Sequence, residues 1–517
     1  MEIKKDILWR VYVVYFMICV LGLGIIYKVF VIQALEGEMW RARAESLTTA
    51  YINIEAVRGN VYSDDGSLLA TSIPTFEIRM DVNTDALTDE IFYKNIDSLA
   101  YRLAKLFKTP SSGRSPKTEK EYRRELITAR KEGKRYHLIK RNVNYNDLKE
   151  LKKFPLFRLG RFKGGFIYIQ KNRRKKPFKL LASRTIGYER EGVRPVGLEG
   201  AYSKHLKGVG GKRLMQKISG GVWKPINDAN EIEPQDGSDI ITTIDINIQD
   251  VAEHALKKQL ENNDADHGCV VLMEVKTGEI KAIANLKKSV SGGYHEGYNY
   301  AVGESTEPGS TFKLAALIAA LEDAHVDLDD TIDTQNGAID YYDRTIRDSH
   351  RGGYGKITAQ KVFEVSSNVG ISKIITESYS KDPQKFIDRL YKMNLNEKLG
   401  LDIAGEGRPK IKNPKDKDWS GVSLAFMSIG YEVKLTPMQI LTFYNAVANG
   451  GKMVKPLFVK EIHKRGKLKM IYKTEVINES ICSKATIEKV KKMLEGVILR
   501  GTAKNLATAT YKIAGKT

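Results

Sequence analysis

The sequence predicts a membrane-anchored α+β protein with two domains outside the membrane. An elongated, β-rich domain is expected over residues 34–240, and a domain with an antiparallel sheet flanked by helices over 241–517. Three observations favour this fold class. The chain has an apolar run near its N-terminus, its 517 residues exceed what one core can hold, and a strand followed by an amphipathic helix marks a boundary near 235–245.

The apolar run covers residues 11–32 and contains a single charge, Lys28. As a helix it would span about 33 Å, enough to cross the hydrocarbon core of a bilayer. Three cations within residues 1–10 favour a cytoplasmic N-terminal tail, and no convincing signal-peptidase site follows the run. We therefore predict an uncleaved single-pass anchor in the cell (inner) membrane, with the bulk of the chain extracytoplasmic or periplasmic. A buried core helix is the alternative.

The net charge of +21 is concentrated in one module, residues 101–190, where 28 Lys and Arg stand against 7 Asp and Glu. Outside the membrane this module is not expected to meet nucleic acid, so we predict a solvated face near anionic lipid heads or a partner. The three cysteines show no disulfide framework and no zinc-binding spacing. A pairing of Cys269 with Cys482 stays open, although packed thiols are favoured, and no metal site is expected.

Local patterns predict the elements in chain order. Residues 58–72 suggest two short strands joined by an Asp-Asp-Gly turn, and residues 90–155 look helical and charged. Asp245 is suited to cap an amphipathic helix, because its side chain can accept hydrogen bonds from the first backbone N–H groups. A hairpin follows, with Lys276-Thr277-Gly278 as its tight turn.

The segment "TEPGSTFKLAALIAALED", residues 306–323, is the most informative. Its apolar residues recur at helical spacing, so Ser310 would open a buried helix with Lys313 one turn later on the same face. Burial and the positive helix N-terminus would both lower the pKa of Lys313, and a neutral amine can then accept the proton of Ser310. Taken alone, Ser-x-x-Lys is short and also fits a serine cap beside a solvated lysine.

Two further motifs accompany it. Ser366-Ser367-Asn368 lies between apolar helical runs, where a hydroxyl could relay a proton and an amide could bind a peptide backbone. Lys516 and Thr517 end the chain on a predicted alternating strand and would offer a cation and a hydroxyl to a substrate carboxylate. The order Ser-x-x-Lys, Ser-x-Asn, Lys-Thr within one domain is far more specific than any single member.

The terminal "GKT" has one rival interpretation, a phosphate-binding loop. That loop needs a glycine at position 510, where Thr510 stands, and a helix after the threonine. ATP is also absent outside the cytoplasm, so this interpretation is rejected.

With these motifs the chain resembles the class B penicillin-binding proteins, which are monofunctional peptidoglycan D,D-transpeptidases. Residues 58–70 resemble the start of the family's N-terminal pedestal, or dimerisation-type, domain, and "GLEGAYSKHLKG" its second motif. Three stretches resemble the transpeptidase domain, "NYAVGESTEPGSTFK", "GLDIAGEG" and "SIGYEVKLTPMQILTFYNAVANGG". The resemblance implies a β-lactamase-like fold for 241–517. Gly430-Tyr431 is closer to division-type than to elongation-type members, which tend to Gly-Gln.

The resemblance also implies roles for six residues. They are the acylated nucleophile Ser310, its base Lys313, the proton relay Ser366, the peptide-amide ligand Asn368, and the carboxylate-binding pair Lys516 and Thr517. The implied substrates are stem peptides ending in D-Ala-D-Ala, β-lactams are implied inhibitors, and no metal or organic cofactor is implied. The implied partners are a SEDS-type glycosyltransferase and other division proteins.

One departure from the family pattern concerns the end of the chain. The glycine of the Lys-Thr-Gly motif is absent after Thr517, so we expect a truncated chain whose 517-residue form is inactive. Such a form could serve as a non-catalytic membrane scaffold. An elongation-type transpeptidase is a further alternative. A β-lactam sensor or hydrolase of the same fold is disfavoured, because no Glu-x-x-Leu-Asn loop lies between Asn368 and Lys516.

Overall fold

The computed structural model describes residues 2–108, 115–190, 192–218, 222–225, 232–507 and 510–517. Its contacts divide the chain into two compact units. The first comprises residues 1–57, 74–173 and 208–236, and the second comprises 58–73, 174–207 and 237–517. The range 34–240, predicted as one domain, is therefore shared between the two units.

The N-terminal helix runs from Glu2 to Phe30 and continues as a π-helical turn, Val31–Leu35. It contains the predicted span 11–32 except for the last two residues. An 18-residue window within residues 7–35 has a mean hydropathy of 2.3, and within the described ranges this is the one helix long and apolar enough to cross a membrane. Its large apolar side chains are exposed, which fits a surrounding of lipid rather than protein.

The remainder of the first unit combines strands with helices. The helices predicted within 90–155 are present, but strand His137–Val143 interrupts them and was not predicted. Helix Asp89–Leu106 buries an apolar stripe, and helix Glu119–Lys131 begins with a capping box at Thr118. Antiparallel pairing joins Thr49–Ile54 to Gly211–Ile218, and part of Leu68–Met80 to His137–Val143. The other elements are Gly37–Thr48, Tyr145–Leu151, Phe157–Leu159, Gly160–Gly164, Phe166–Lys175 and Val222–Pro225.

The second unit has two sheets that bear on the predicted elements. Strand Asp239–Thr242 pairs in parallel with Val61–Tyr62 and antiparallel with Val459–Lys464. Asp245 caps helix Ile246–Asn262, as predicted, because its side chain accepts hydrogen bonds from two backbone N–H groups of the first turn. The remaining strands of this unit are short pairs and hairpins at Tyr188–Arg190, Val193–Val196, Thr331–Asp333, Ala338–Tyr341, Arg344–Arg347, Lys356–Thr358, Lys410–Ile411, Val433–Lys434, Met453–Val454, Lys467–Ile471 and Val476–Asn478.

The predicted hairpin is the second of these sheets. Strands His267–Met273 and Ile280–Lys288 pair antiparallel, and Tyr294–His295 adds a third strand. The connecting turn contains Gly278 at φ +79°, a left-handed conformation that glycine adopts without strain. The internal Lys-Thr-Gly sequence is thus a turn, as its composition predicted.

A helical core fills the rest of the second unit. Helix Lys313–Glu322 is its central member, because residues 313–321 are all buried. The surrounding helices are Ala359–Glu364, Asn368–Tyr379, Pro383–Lys392, Ser423–Ser428, Pro437–Ala448 and Lys484–Leu499. Short helical turns complete the unit at Ser183–Ile186, Gly197–Ala201, Ser203–Leu206, Tyr300–Gly303, Gly309–Phe312 and Lys504–Leu506. Helix Lys313–Glu322 thereby fixes the position of the residues at its N-terminal end.

The two motifs assigned to the pedestal domain, residues 58–70 and 197–208, meet in a buried ion-pair network. Arg58 donates from Nε to Glu199 Oε2 (2.7 Å) and from Nη2 to the Glu199 carbonyl (2.7 Å). Arg174 donates from Nε to Glu199 Oε1 (2.6 Å). The Glu199 side chain is almost fully buried, so two guanidinium groups compensate a desolvated carboxylate. Losing either arginine would leave this charge under-compensated.

Candidate active site

Ser310 lies in a 3-10 turn, Gly309–Phe312, and the α-helix begins at Lys313. The helix was predicted to open at Ser310 itself. Gly309, the first residue of the turn, has a φ of +56°, a left-handed conformation that glycine adopts without strain. Tyr444 steadies the turn by donating from its hydroxyl to the Thr311 carbonyl (2.8 Å). The turn leaves the Ser310 hydroxyl 3.3 Å from Ser366 Oγ.

A second glycine approaches the same turn closely. Gly309 donates its N–H to the Gly430 carbonyl (3.3 Å), and a Cβ on Gly430 would lie 2.1 Å from the Gly309 carbonyl oxygen. Gly430 also has φ +89°, so any side chain there would be strained and would clash with backbone. The close approach explains why glycine stands beside Tyr431 in the "SIGYEVK" stretch.

Lys313 is completely buried, with 0% of its surface exposed. Its Nζ donates to the Ser366 carbonyl (2.7 Å), to Ser366 Oγ (3.1 Å) and to Asn368 Oδ1 (2.6 Å). Burial, together with the nearby Lys516 cation, lowers the pKa of Lys313 to about 7, although Asp348 opposes the shift. The predicted lowering of the pKa is therefore confirmed, with burial as its largest cause.

Ser366 connects the nucleophile to the lysine. Its hydroxyl lies within hydrogen-bond distance of both Ser310 Oγ and Lys313 Nζ, which forms a continuous path for a proton. Ser366 has φ +61°, and a left-handed conformation at a residue other than glycine costs on the order of 1–3 kcal/mol. The bonds from Lys313 to both its carbonyl and its hydroxyl help to hold this geometry. The sequence predicted a proton relay at Ser366, and the position of its hydroxyl between Ser310 and Lys313 is compatible with that role.

Asn368 opens helix Asn368–Tyr379 and turns its side-chain amide toward Lys313. Its Nδ2 donates to the Arg347 carbonyl (2.7 Å). Both ends of the amide therefore have partners, and the orientation of the amide is fixed by them. A peptide carbonyl that bound Asn368 Nδ2 would have to compete with the Arg347 carbonyl.

Asp348 supports this turn and was missed by sequence reasoning. Its carboxylate accepts from Ser367 Oγ at 2.9 and 3.0 Å and from the Val369 N–H at 3.0 Å. A carboxylate at the N-terminus of a helix is stabilised by the free N–H groups and the helix dipole. No motif marks Asp348 in the sequence, because it follows a hairpin far from the Ser-x-Asn motif and reaches that motif only in the fold.

Lys516 reaches the same centre from the end of the chain. Its Nζ donates to Ser366 Oγ (2.8 Å) and lies 5.8 Å from the centre of the Phe363 ring. Burial lowers the pKa of Lys516 to about 8. Its Nζ also donates to the main-chain oxygen of Thr517 (2.5 Å), and among the described residues no Asp or Glu side chain pairs with Lys516.

Thr517 lies beside Lys516 in the chain, but its hydroxyl is 2.5 Å from Thr502 Oγ1. The structure therefore brings five of the six predicted site residues into one hydrogen-bonded cluster and leaves the Thr517 hydroxyl outside it.

The alternating strand predicted for Lys516 and Thr517 is wrong for the structure as described, since residues 510–517 form no strand. A strand requires a neighbouring strand for its backbone hydrogen bonds. The Gly515 N–H instead donates to the Leu494 carbonyl of helix Lys484–Leu499 (3.1 Å). The continuation of the motif beyond Thr517 stays a prediction.

Two family models match the chain, and together they cover most of it. The penicillin binding protein transpeptidase domain matches residues 268–517, which contain the whole cluster, and the penicillin-binding protein dimerisation domain matches residues 53–194. The chain belongs to the class B penicillin-binding proteins. The transpeptidase domain makes this penicillin-binding protein a serine-type acyltransferase of cell-wall cross-linking, as its motifs predicted.

Two curated relatives are similar to most of the chain. The chain is 26% identical over 461 residues to "Probable peptidoglycan D,D-transpeptidase PenA" of Neisseria meningitidis, covering 87% of this chain and 73% of that one. It is 28% identical over 389 residues to "Stage V sporulation protein D" of Bacillus subtilis, covering 73% and 58%. The chain thus spans three quarters or less of these relatives.

Solved structures show the same two-domain fold. Penicillin Binding Protein 2X from Streptococcus thermophilus superposes with a TM-score of 0.66 at 21% identity, over 86% of this chain and 66% of that one. A chain described under "Structural coordination of polymerization and crosslinking by a peptidoglycan synthase complex" gives 0.67 at 20% identity, over 97% and 86%. At these identities the likeness speaks to the fold alone.

The two lysine pKa values predict a bell-shaped pH dependence for acylation of this penicillin-binding protein. The second-order rate constant should rise as pH increases through about 7, because only neutral Lys313 accepts a proton. It should fall above about 8, because Lys516 then loses the charge that attracts the ligand carboxylate. Stopped-flow acylation by a penicillin across this pH range measures both limbs.

The variant Lys516→Arg separates these two limbs. Arginine stays charged throughout the range, so the alkaline limb should disappear while the acid limb remains. Lys512→Arg, on an exposed residue of the same segment, is the matched control and should keep both limbs. An alkaline limb that survives in Lys516→Arg would show that another group causes it.

Asp348→Asn is predicted to move the acid limb to lower pH. The carboxylate raises the pKa of Lys313, so removing its charge should lower that pKa and extend activity toward acid. The plateau rate should fall by no more than about tenfold, because asparagine can still accept hydrogen bonds from the turn. Asp343→Asn, an exposed carboxyl in the preceding hairpin, should leave the profile unchanged. An unshifted limb in Asp348→Asn would mean that Asp348 only holds the turn.

Proposed function

We propose that this penicillin-binding protein cross-links peptidoglycan stem peptides during septal wall synthesis, with Ser310 as the residue that is acylated. The observation that carries the proposal is a continuous hydrogen-bonded path from Ser310 Oγ through Ser366 Oγ to Lys313 Nζ, with oxygen–oxygen and oxygen–nitrogen distances of 3.3 and 3.1 Å. The buried Lys313 amine at the end of this path has a pKa of about 7 and is suited to act as a general base.

In the acylation step, Ser310 Oγ attacks the carbonyl carbon of the amide between the two D-Ala residues. The Ser310 proton moves through the Ser366 hydroxyl to Lys313. The C–N bond then breaks, the leaving D-Ala amine receives a proton through Ser366, and the remaining stem is held as an ester on Ser310. Ser366 is placed for both transfers because it also accepts from Lys516 Nζ at 2.8 Å.

The second step transfers the acyl group to an amine of a neighbouring stem peptide. The amine attacks the ester carbonyl and its surplus proton moves to Lys313. The C–O bond to Ser310 then breaks, and Lys313 returns a proton through Ser366 to the departing Ser310 oxygen. Lys516 is the side chain proposed to bind the terminal carboxylate, with Thr517 completing the pair, and Asn368 is proposed to bind the peptide backbone. Lys516 supports its part in this assignment because no Asp or Glu side chain in the described ranges neutralises its charge.

The proposal extends to topology and partners. Residues 1–10 would be cytoplasmic, 11–32 would span the membrane, 34–240 would form the pedestal domain and 241–517 the transpeptidase domain on the extracytoplasmic side. The cations within residues 1–10 and the apolar helix Glu2–Phe30 support this orientation. A SEDS-type glycosyltransferase and other division proteins are the proposed partners. Such a pairing fits the structural neighbour from a peptidoglycan synthase complex, in which polymerisation and crosslinking are coordinated.

The test of the activity uses the full chain, meaning the protein continued past Thr517 through the complete Lys-Thr-Gly motif. It is studied in detergent micelles with a synthetic stem pentapeptide ending in D-Ala-D-Ala and a separate acceptor amine. Released D-Ala and the cross-linked product are measured together. Both should appear in equal amounts, and both should vanish with Ser310→Ala. D-Ala release without cross-linked product would identify a hydrolase, and neither product from a folded protein would favour a scaffold.

The septal role has its own test in cells. A fluorescent fusion should concentrate at the division site, and depletion should produce cells that elongate without dividing. Uniform signal along the side wall with loss of cell shape would favour the elongation-type alternative.

A further inference from the structure

A cationic segment of the first unit has no carboxylates of its own. Residues 152–173 contain seven Lys and Arg and no Asp or Glu. Lys153 pairs with Glu150, and Lys171 with Glu55. The other five have no carboxylate within 4 Å anywhere in the described part of the chain; they are Lys152, Arg158, Arg161, Lys163 and Arg173. The segment therefore carries uncompensated positive charge.

A cavity of about 550 Å³ opens in this segment. Phe157 and Phe166 stack at 4.5 Å in its wall. Lys152 lies 4.6 Å from the centre of the Tyr168 ring, and Arg158 and Arg161 complete the lining. The cavity thus combines an aromatic wall with three cations, a setting that suits a ligand with both apolar and anionic groups. We call these six residues the cationic groove.

Exposed apolar side chains surround the cations. Leu159 is 42% exposed, Phe162 is 43% exposed and Tyr168 is 46% exposed. A face built only for solvation would carry charged and polar groups, and it would not leave two aromatic rings and a leucine open to water. Leu159 and Phe162 alternate with cations along residues 158–163, and Tyr168 lines the same cavity, which points to a surface that is covered in a complex.

The groove adjoins a free sheet edge. Strand Phe166–Lys175 pairs with strand Leu68–Met80, and no other strand in the described ranges lies against it. Such an edge offers unpaired backbone donors and acceptors to an added strand. Cations along an edge also discourage two copies from pairing, but that role does not require the aromatic cavity at its start.

We propose that the cationic groove binds an extended acidic peptide segment of a partner protein. The segment adds as a strand beside Phe166–Lys175, places an apolar side chain in the cavity and pairs its carboxylates with Arg158 and Arg161. Charge complementarity and the free edge favour a peptide over a lipid surface, because lipid headgroups supply anions but no backbone to pair with a strand. This site is independent of acyl transfer at Ser310 and adds a recognition function to the proposed one.

Binding is tested with the full chain in detergent micelles at near-physiological salt. The probe is a fluorescein-labelled ten-residue peptide of alternating Glu and Val with one central Trp. Replacing every Glu of the peptide by Gln should weaken binding by at least about tenfold, because it removes the charge pairs. The double variant Arg158→Glu with Arg161→Glu should weaken it to a similar extent.

The matched control is Lys120→Glu with Arg124→Glu, on exposed positions of helix Glu119–Lys131 in the same unit. It makes the same change in net charge and should alter the affinity less than about twofold. Penicillin acylation measured on every variant reports whether the protein is folded. Equal weakening by the groove variant and the control would mean that net charge alone attracts the peptide, which would overturn the proposal.

A second measurement tests strand addition. Hydrogen exchange should show that backbone amides within residues 166–173 become protected when the peptide is added. Binding without this protection would overturn the added-strand geometry. The unmodified protein could instead bind vesicles of acidic lipid but not the peptide. Loss of this vesicle binding in the groove variant would show that the groove serves a membrane surface.

Discussion

Ser310→Ala will abolish covalent labelling by a fluorescent penicillin in the protein that carries the complete Lys-Thr-Gly motif. The β-lactam carbonyl takes the place of the scissile D-Ala-D-Ala carbonyl, and attack by Ser310 Oγ opens the ring by breaking its C–N bond. Alanine offers no oxygen for the ester, so the acylation rate should fall by roughly 10⁴-fold or more. The measurement is in-gel fluorescence after a fixed exposure, with the rate taken from a time course.

The variant should remain folded, because Ser310 is only partly buried and contributes one long hydrogen bond of 3.3 Å. An unchanged thermal unfolding midpoint would confirm this. Ser289→Ala, in an exposed turn of the same unit, is the matched control and should label like the unmodified protein. Labelling that persists in Ser310→Ala would show that another residue is the nucleophile.

Lys313→Arg is expected to lose nearly all acylation, by about 10²–10⁴-fold. The guanidinium keeps the positive charge but stays protonated at every working pH, so it cannot receive the Ser310 proton. The present amine can, because complete burial lowers its pKa to about 7. Stopped-flow acylation at saturating penicillin separates the loss of the chemical step from any loss of binding.

Arginine is also larger than lysine, so overpacking must be distinguished from lost chemistry. Lys313→Met is similar in length and carries no charge, and it should be equally inactive while preserving the unfolding midpoint. Lys489→Arg, in an exposed ion pair with Asp327, should acylate normally. If Lys313→Arg acylated at a near-normal rate, Lys313 would be a structural cation and Ser366 would need another base.

The site was largely predictable because its chemistry restricts residue type and order. A nucleophile, an amine three residues later on a buried helix, and a hydroxyl-amide pair between helical runs are recognisable without a structure. The structure places Ser310, Lys313, Ser366 and Asn368 in one hydrogen-bonded cluster. The lowered pKa of Lys313 was predictable for the same reason, since the apolar spacing around it already implied burial.

What the sequence did not reveal depends on contacts between distant segments. Asp348 supports the Ser-x-Asn turn from a separate hairpin, and no local pattern marks it. The relay role of Ser366 was predicted, but the φ of +61° that places its hydroxyl near the nucleophile was not, because a backbone angle cannot be read from residue types alone. The strand predicted for Lys516 failed because alternation describes side chains, whereas a strand also needs a partner for its backbone.

The sequence predicted two domains outside the membrane, but it did not predict which segments of residues 34–240 pack together. The segments 58–73 and 174–207 belong to the second unit, although they lie within the range predicted as a single pedestal. Their motifs meet at Glu199, which two arginines from separate segments bind. Sequence patterns located these motifs, but their place in the second unit depends on contacts with residues that are distant in the sequence.

The central claim, that Ser310 carries the acyl group, is tested most directly by locating the group itself. The full chain is acylated with a penicillin, denatured and digested, and the modified peptide is sequenced by mass spectrometry. We predict one penicilloyl ester on Ser310, in the peptide that ends at Lys313, and no such peptide from Ser310→Ala. A penicilloyl group on any other residue of the unmodified protein would contradict the account.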